Sequence, residues 1–570
     1  MMDTRLFGYL TFAFIMMLIY QAWMQDYVVP AQTAASVTQV NTDKASASPA
    51  EDLPQASIAS AATTNTNSVA QVNAATVPVI ASEPSNNADV VSSASQQIHV
   101  RTDTLDVLID TRGGTIVQAD LLNYPQEVNK PELPVRLFNT EESTYYVAQS
   151  GLIGTQQNGN NRAPTHHAVY QAPLLDYRLE NEKLEVPLTW RSEDGIEITK
   201  TYIFHKNSHV IEIAYSIKNN STQAWQGQAY TQLQRRHVEQ GYSLFGIYTY
   251  TGGVIYSAEK KYEKRAFSKL HEEPIDRDVT NGWVAVIEHY FLSAWLPTKD
   301  QPQHAYSKVI GDTNPLFVVG MKTNIQEIAA GASAQIESRL YVGPKEHERL
   351  EVIAPFLDLT VDYGWLTFVS KPLFLALNWI ENYVGNWGWA IVILTIVIKL
   401  AFYKLSEAQY RSMAKMRKVQ PKLMAIRDRY KDDRQRQGVE MMELYKKEKI
   451  NPLGGCLPMI IQIPVFIALY WVLLESVELR QAPFMLWIKD MSAKDPYFIL
   501  PLIMGVTMYI QQKLNPAPLD PIQAKVFMVL PFVFTVMFAF FPAGLVLYWV
   551  TNNTITIIQQ WYITNRVLKD

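Results

Sequence analysis

Residues 387–404, WGWAIVILTIVIKLAFYK, constrain this chain more than any other stretch. They form an apolar run of membrane-spanning length, interrupted by Lys399 and closed by Lys404. A spanning helix needs about 20 apolar residues to cross roughly 30 Å of hydrocarbon. Trp389 to Lys399 is about 15 Å at roughly 1.5 Å per residue, which puts the ammonium near mid-bilayer. A charge at that depth costs at least about 2.5–3.5 kcal/mol, so it should face a polar cavity or a partner. The plainer alternative is that Lys399 snorkels to the cytoplasmic surface, since Lys404 follows little more than one turn later. The sharper one is a wet, cytoplasm-facing groove between helices.

At 570 residues the chain is too long for one domain, and composition divides it. Residues 6–24, LFGYLTFAFIMMLIYQAWM after Arg5, outrun a signal-peptide core, and Gln21-Ala22-Trp23 makes a poor cleavage site. Residues 1–25 therefore read as an uncleaved transmembrane anchor with a cytoplasmic N-terminus; a cleaved signal is the alternative. Residues 26–97 are rich in Ala, Ser, Thr, Asn, Gln and Val and predict a disordered tether, because too little apolar surface is available to offset ordering entropy. Residues 98–345 change character. LDVLIDTRGGTIVQADLL (105–122) and LEVPLTWRSEDGIEITKTYIFHKNSHVIEIAYSIKNN (184–220) alternate apolar and polar residues at period two between turn signals. Such strands without helical patterns between them predict an all-β antiparallel sandwich.

Function classes narrow accordingly. The formal net charge of −4 shows no global nucleic-acid footprint, and DNA is not an expected partner. A single cysteine, Cys456, excludes an intramolecular disulfide. All ten histidines lie between His99 and His347, outside every predicted span, so a buried histidine relay in the membrane is ruled out. In the β region His166-His167 and Arg235-Arg236-His237 with Glu239 are the candidate catalytic clusters. No metal-ligand spacing or nucleophile elbow accompanies them. We expect no catalytic residues, metal or cofactor.

Residues 346–383 read as a linker and an interfacial amphipathic helix. Thr367, Lys371, Asn378 and Glu381 make one polar stripe away from Trp365, Phe368 and Trp379, while Phe374 falls inside the stripe. Residues 384–570 hold five more spans. The second span of the chain (387–404) is followed by a cytoplasmic helical hairpin, 404–450, with 14 Lys/Arg against 7 Asp/Glu over residues 404–449. Its basic residues Arg411, Lys415, Arg417, Lys418, Lys422 and Arg427 suit an anionic leaflet or ribosomal RNA; a solvated hairpin that only sets topology is the alternative. Further spans are predicted at 457–474, 497–512, 526–541 and 545–563. The fold class is thus a polytopic α-helical membrane protein of six transmembrane helices plus an all-β domain, with both termini inside.

Polar residues recur within the spans. Thr395 lies one turn before Lys399; Gln462 sits between Pro458 and Pro464; Asn552 and Asn553 occupy the middle of the last span. Each alone suits helix–helix glue. Together with an unpaired lysine, and with no mid-bilayer acid to neutralise it, they suggest a hydrated cavity. A conventional ion-coupled transporter would be expected to supply carboxylates there, and no internal repeat is visible.

NPLGGCLPMIIQIPVFIALYW (451–471), SVELRQAPFMLWIKDMSAKDPYFILPLIMGVTMYIQQK (476–513) and FPAGLVLYWVTNNTITIIQQ (541–560) closely resemble the YidC/Oxa/Alb membrane-protein insertases. The match runs from Val361 to about Gln560. TRGGTIVQADLLNYP (111–125), with the anchor and tether, resembles the periplasmic extension of members from bacteria with an outer membrane. The resemblance implies an inner-membrane insertase and chaperone with five core spans around a groove open to cytoplasm and lipid, and a periplasmic β-super-sandwich of sugar-binding type. Expected partners are nascent membrane proteins, the Sec translocon with its accessory subunits, the ribosome and signal recognition particle pathway, and anionic phospholipids. No nucleotide or metal is implied. Lys399 falls where bacterial members carry a groove arginine; lysine keeps the charge and loses the planar fork. Thr395 looks like the groove threonine. Phe466, Met504, Met537, Tyr548 and Trp549 resemble the face along which substrate slides, with Trp549 in place of a tyrosine. A small-solute transporter and a membrane-anchored carbohydrate enzyme stay as rival classes.

Overall fold

The computed structural model describes residues 53–54, 95–155, 163–237, 250–297, 301–312, 314–431, 433–448, 457–515 and 521–569. The expected anchor and nearly all of the tether lie outside these residues, as do Glu239 and Cys456. The described chain divides into a β unit, running to Asp362 and joined by Glu475–Gln481, and a helical unit, Tyr363–Leu474 with Ala482–Asp570.

The β unit consists of an 11-stranded and an 8-stranded sheet. Period-two patterning explains the burial directly. In Ile196–His205, Ile196, Ile198, Tyr202 and Phe204 point inward, and in Val210–Asn219, Ile211, Ile213, Tyr215 and Ile217 do the same. Pairing is antiparallel except where Gln97–Arg101 runs parallel to Asp176–Arg178, a correction to the wholly antiparallel expectation. Lys200 occupies an inward register position and is fully buried. Its ammonium donates to the carbonyls of Gly113 (2.8 Å), Gly114 (3.1 Å) and Ser150 (3.1 Å), so a strand of one sheet grips a turn and a strand belonging to the other. Gly113, at φ 72°, sits against the backbone of His166, where a Cβ would collide. A short helix, α1 (His347–Ile353), ends the unit's main run.

The loop after the third expected span does more than connect. Its first residues, Glu475–Gln481, belong to the β unit. Val477 joins the unit's hydrophobic core, and Glu475 forms a buried ion pair with Lys345 at 3.2 Å. Arg480 donates to the carbonyls of Pro125 (2.7 Å) and Gln126 (3.2 Å), and Gln481 to Pro125 (2.8 Å). Sequence patterning contained no sign of this strap.

In the helical unit, α2 (Thr367–Val384) buries Ser370, Phe374, Leu377 and Ile380, and Ser370 donates to the Ala468 carbonyl at 3.2 Å. Phe374 marks the packing face, so the polar stripe it falls in lies half-buried on the packing side, while Trp365, Phe368, Trp379 and Tyr383 stay exposed. α3 (Trp387–Ala401) ends before Lys404, earlier than expected, and α4 (Tyr403–Arg429) continues after a 67° bend. Then follow α5 (Arg434–Lys447), α6 (Leu457–Glu475), α7 (Ile499–Leu514), α8 (Pro521–Phe538) and α9 (Ala543–Lys569). Among the described residues no single helix is long and apolar enough to cross a membrane; the bent α3–α4 pair meets that test together. α7 and α8 approach closely at Gly505, where a Cβ would strike the Thr535 hydroxyl.

Candidate functional site

The site is built from α3 inward. Asn386 caps the helix by accepting from the Trp389 amide at 3.0 Å, and its own amide group donates to the Phe484 carbonyl at 3.0 Å. Ala390, Ile391 and Leu394 then line the buried face; Ile396, Val397 and Leu400 are exposed. Lys399 falls on the buried face and is only 5% exposed. Its Nζ donates to Thr556 Oγ1 of α9 at 2.9 Å, and among the described residues it takes part in no ion pair. Thr395 is buried too, yet its hydroxyl donates to the Ile391 carbonyl at 2.7 Å, on its own helix. Thr395 and Lys399 therefore share a face without bonding each other.

Polar groups continue along α9. Gln462 Nε2 donates to Asn552 Oδ1 at 2.9 Å, Asn553 Nδ2 to Thr507 Oγ1 at 3.3 Å, and Gln560 Nε2 to Asn515 Oδ1 at 2.9 Å. These bonds tie α9 to α6 and α7. Among the described residues the buried Oε1 atoms of Gln559 and Gln560 and the Trp549 Nε1 accept or donate no hydrogen bond. An unsatisfied buried polar group costs about 1–3 kcal/mol, which water or a polar peptide would relieve. Thr556 escaped the sequence reading. The signal was available, since TNNTITIIQQ repeats polar side chains at 552/553, 556 and 559/560, one helical face.

Beside this polar column lies an aromatic one. Phe466 stacks on Tyr548 with ring centroids 6.0 Å apart and meets Trp549 edge-on at 5.0 Å; Trp549 also meets Phe538 at 5.5 Å. Met504 and Tyr548 are enclosed, while Phe466, Met537 and Trp549 are half-buried. Exposed apolar side chains lie on α7 (Leu502, Val506) and α8 (Val529, Phe532, Val536).

α4 and α5 pack through Val419 and Leu423 against Met441, Leu444 and Tyr445. Lys422 pairs with Glu448 at 2.7 Å and Arg411 with Glu407 at 2.8 Å. Lys415, Arg417 and Lys418 are exposed, and Arg427 is half-buried. In the β unit His166 is buried, with Nδ1 at the Tyr230 hydroxyl, and Arg235 is spent on Glu288. Among the described residues no three His, Cys, Asp or Glu side chains gather to hold a metal.

Two family models cover the chain: the YidC periplasmic domain at residues 97–376 and the 60Kd inner membrane protein at residues 379–570. A membrane protein insertase YidC from Thioalkalivibrio sulfidiphilus is 50% identical, covering 98% of both chains. Another from Methylococcus capsulatus is 52% identical over 84% of this chain and 87% of its own. A crystal structure described as an active YidC insertase with its first transmembrane domain resolved has 18% identity, covers 82% of this chain and 93% of its own, and has a TM-score of 0.38. A two-sheet β domain joined to an apolar helical region with a buried cation defines the class, a membrane protein with a large β-rich extension. The chain belongs to the YidC family of membrane protein insertases.

Proposed function

We propose that the protein inserts nascent membrane proteins into the inner membrane and helps them fold, alone or with the Sec translocon, through a hydrophilic groove open to cytoplasm and lipid. The observation that carries this is Lys399: a buried cation in an apolar helical unit, bonded to the Thr556 hydroxyl of a helix that also carries buried amides. A coupled transporter needs an ionisable acid where this unit has amides. Six spans complete the reading, one anchor and five in the core, with both termini cytoplasmic and the β domain periplasmic. Supporting it are five apolar helices, α3 and α6 to α9, and the net positive α4–α5 hairpin, which the positive-inside rule assigns to the cytoplasm.

The hairpin receives substrate from the ribosome and signal recognition particle pathway or from the anionic leaflet. The groove draws in a short polar tail through charge at Lys399 and through the amides of Gln462, Asn552 and Asn553. The apolar segment then partitions past Phe466, Met537 and Trp549 into lipid. Burial of that segment, at about 25 cal/mol per Å², supplies the driving force. No covalent step takes part.

Photocrosslinkers at Gln462 and Asn552, and separately at Phe466 and Met537, test the route with stalled nascent chains. The polar tail should label the first pair and the apolar segment the second. Labelling of neither, with the ribosome bound, contradicts the groove.

A further inference from the structure

We propose that Thr556 is a positioning residue for the groove charge: its hydroxyl fixes the Lys399 ammonium so that its remaining N–H donors face an acidic segment of incoming substrate. The inference rests on the insertion reading above and deepens it. A lysine stem has many rotamers, and its ammonium is free to snorkel toward water. Here it does not. Nζ sits 2.9 Å from Thr556 Oγ1, and both residues are 5% exposed.

Threonine suits the task because its β-branched side chain is stiff at χ1, which fixes the direction of the acceptor. Two helices therefore meet at one hydroxyl: α3 carries the charge and α9 the acceptor. An ammonium has three donors. With one spent on Thr556 and no carboxylate paired among the described residues, the others suit a single carboxylate arriving from outside the chain.

If Thr556 were only helix glue, its loss would weaken insertion whatever the charge of the substrate. The test uses the full chain in proteoliposomes and a two-span test protein whose translocated loop is either acidic or neutral. The expected result is a several-fold fall in the acidic-to-neutral insertion ratio for Thr556→Val, restored by Thr556→Ser. In a Lys399→Ala background Thr556→Val should change the ratio no further. An unchanged ratio in Thr556→Val, where Lys399→Ala lowers it, overturns the proposal, as does equal loss for both loops. Wild type that inserts neither loop removes the insertion reading instead. The positioning role is then decided by mass-spectrometric acetylation of Lys399, which should run several-fold faster in Thr556→Val; an equal rate overturns it.

Discussion

Lys200 and Lys399 are both buried lysines, and their surroundings differ. Lys200 has three backbone carbonyls within 3.1 Å and tyrosine rings around it, with the Tyr202 centroid at 5.1 Å. Every ammonium proton is used, although burial pulls its pKa well below the ordinary lysine value. Lys399 has one hydroxyl acceptor and spare donors. Replacing Lys200 with methionine should strand three carbonyls and cost about 3 kcal/mol or more. Thermal unfolding of the full chain, followed by its β circular dichroism, should show the loss; wild-type stability would contradict the clamp. The period-two pattern does put position 200 inward, but alternation alone cannot say that a lysine there finds carbonyls from the other sheet. Lys399 was legible because a lone charge in an apolar run has so few alternatives, whereas its partner Thr556 lies 157 residues away.

Elements show where the sequence stopped speaking. Helix positions followed from apolar runs, yet the end of α3 at Ala401 did not, since nothing in Phe402 or Tyr403 forbids continuing. The strap Glu475–Gln481 was equally silent: its residues read as an ordinary charged loop, and only tertiary contact makes Val477 part of a β core. Within it the Glu478 carboxyl is pushed up to about 7, by burial first and then by Glu346 and Glu348. Tyr124 and the Lys345–Glu475 pair also lie near this corner. Because the docked strap favours the protonated acid, its contribution is complete below about pH 4.5 and is lost as pH rises to about 7, at up to about 1.4 kcal/mol per pH unit. Glu478→Gln should flatten the decline in unfolding temperature between pH 5 and 7 and stabilise the chain at pH 8. A slope equal to wild type would refute this. In the helical unit Gly505→Val should push α7 from α8 at Thr535, and the change should appear as faster proteolysis between them.

At the scale of the whole molecule, composition already separated β domain, hairpin and apolar helices, because each class carries its own periodicity. It could not assign Glu475–Gln481 to the β unit, nor show that Met504 and Tyr548 are enclosed. The hairpin's exposed Lys415, Arg417 and Lys418 lead to a further expectation. Changing all three to glutamine should weaken binding to anionic vesicles by about 1 kcal/mol per charge and reduce its salt dependence. Flotation assays at two salt concentrations would show it, and unaltered binding would assign the hairpin to topology alone.

On the proposed reading, a groove working by charge inserts protein without other machinery. Its most direct measurement is protease protection of a two-span substrate with a short acidic translocated loop, in proteoliposomes holding only this protein. Wild type, Lys399→Ala and Lys399→Glu run side by side. Protection is expected with wild type, less with alanine and least with glutamate. Equal protection in all three would make Lys399 a bystander, and none above empty liposomes would contradict autonomous insertion.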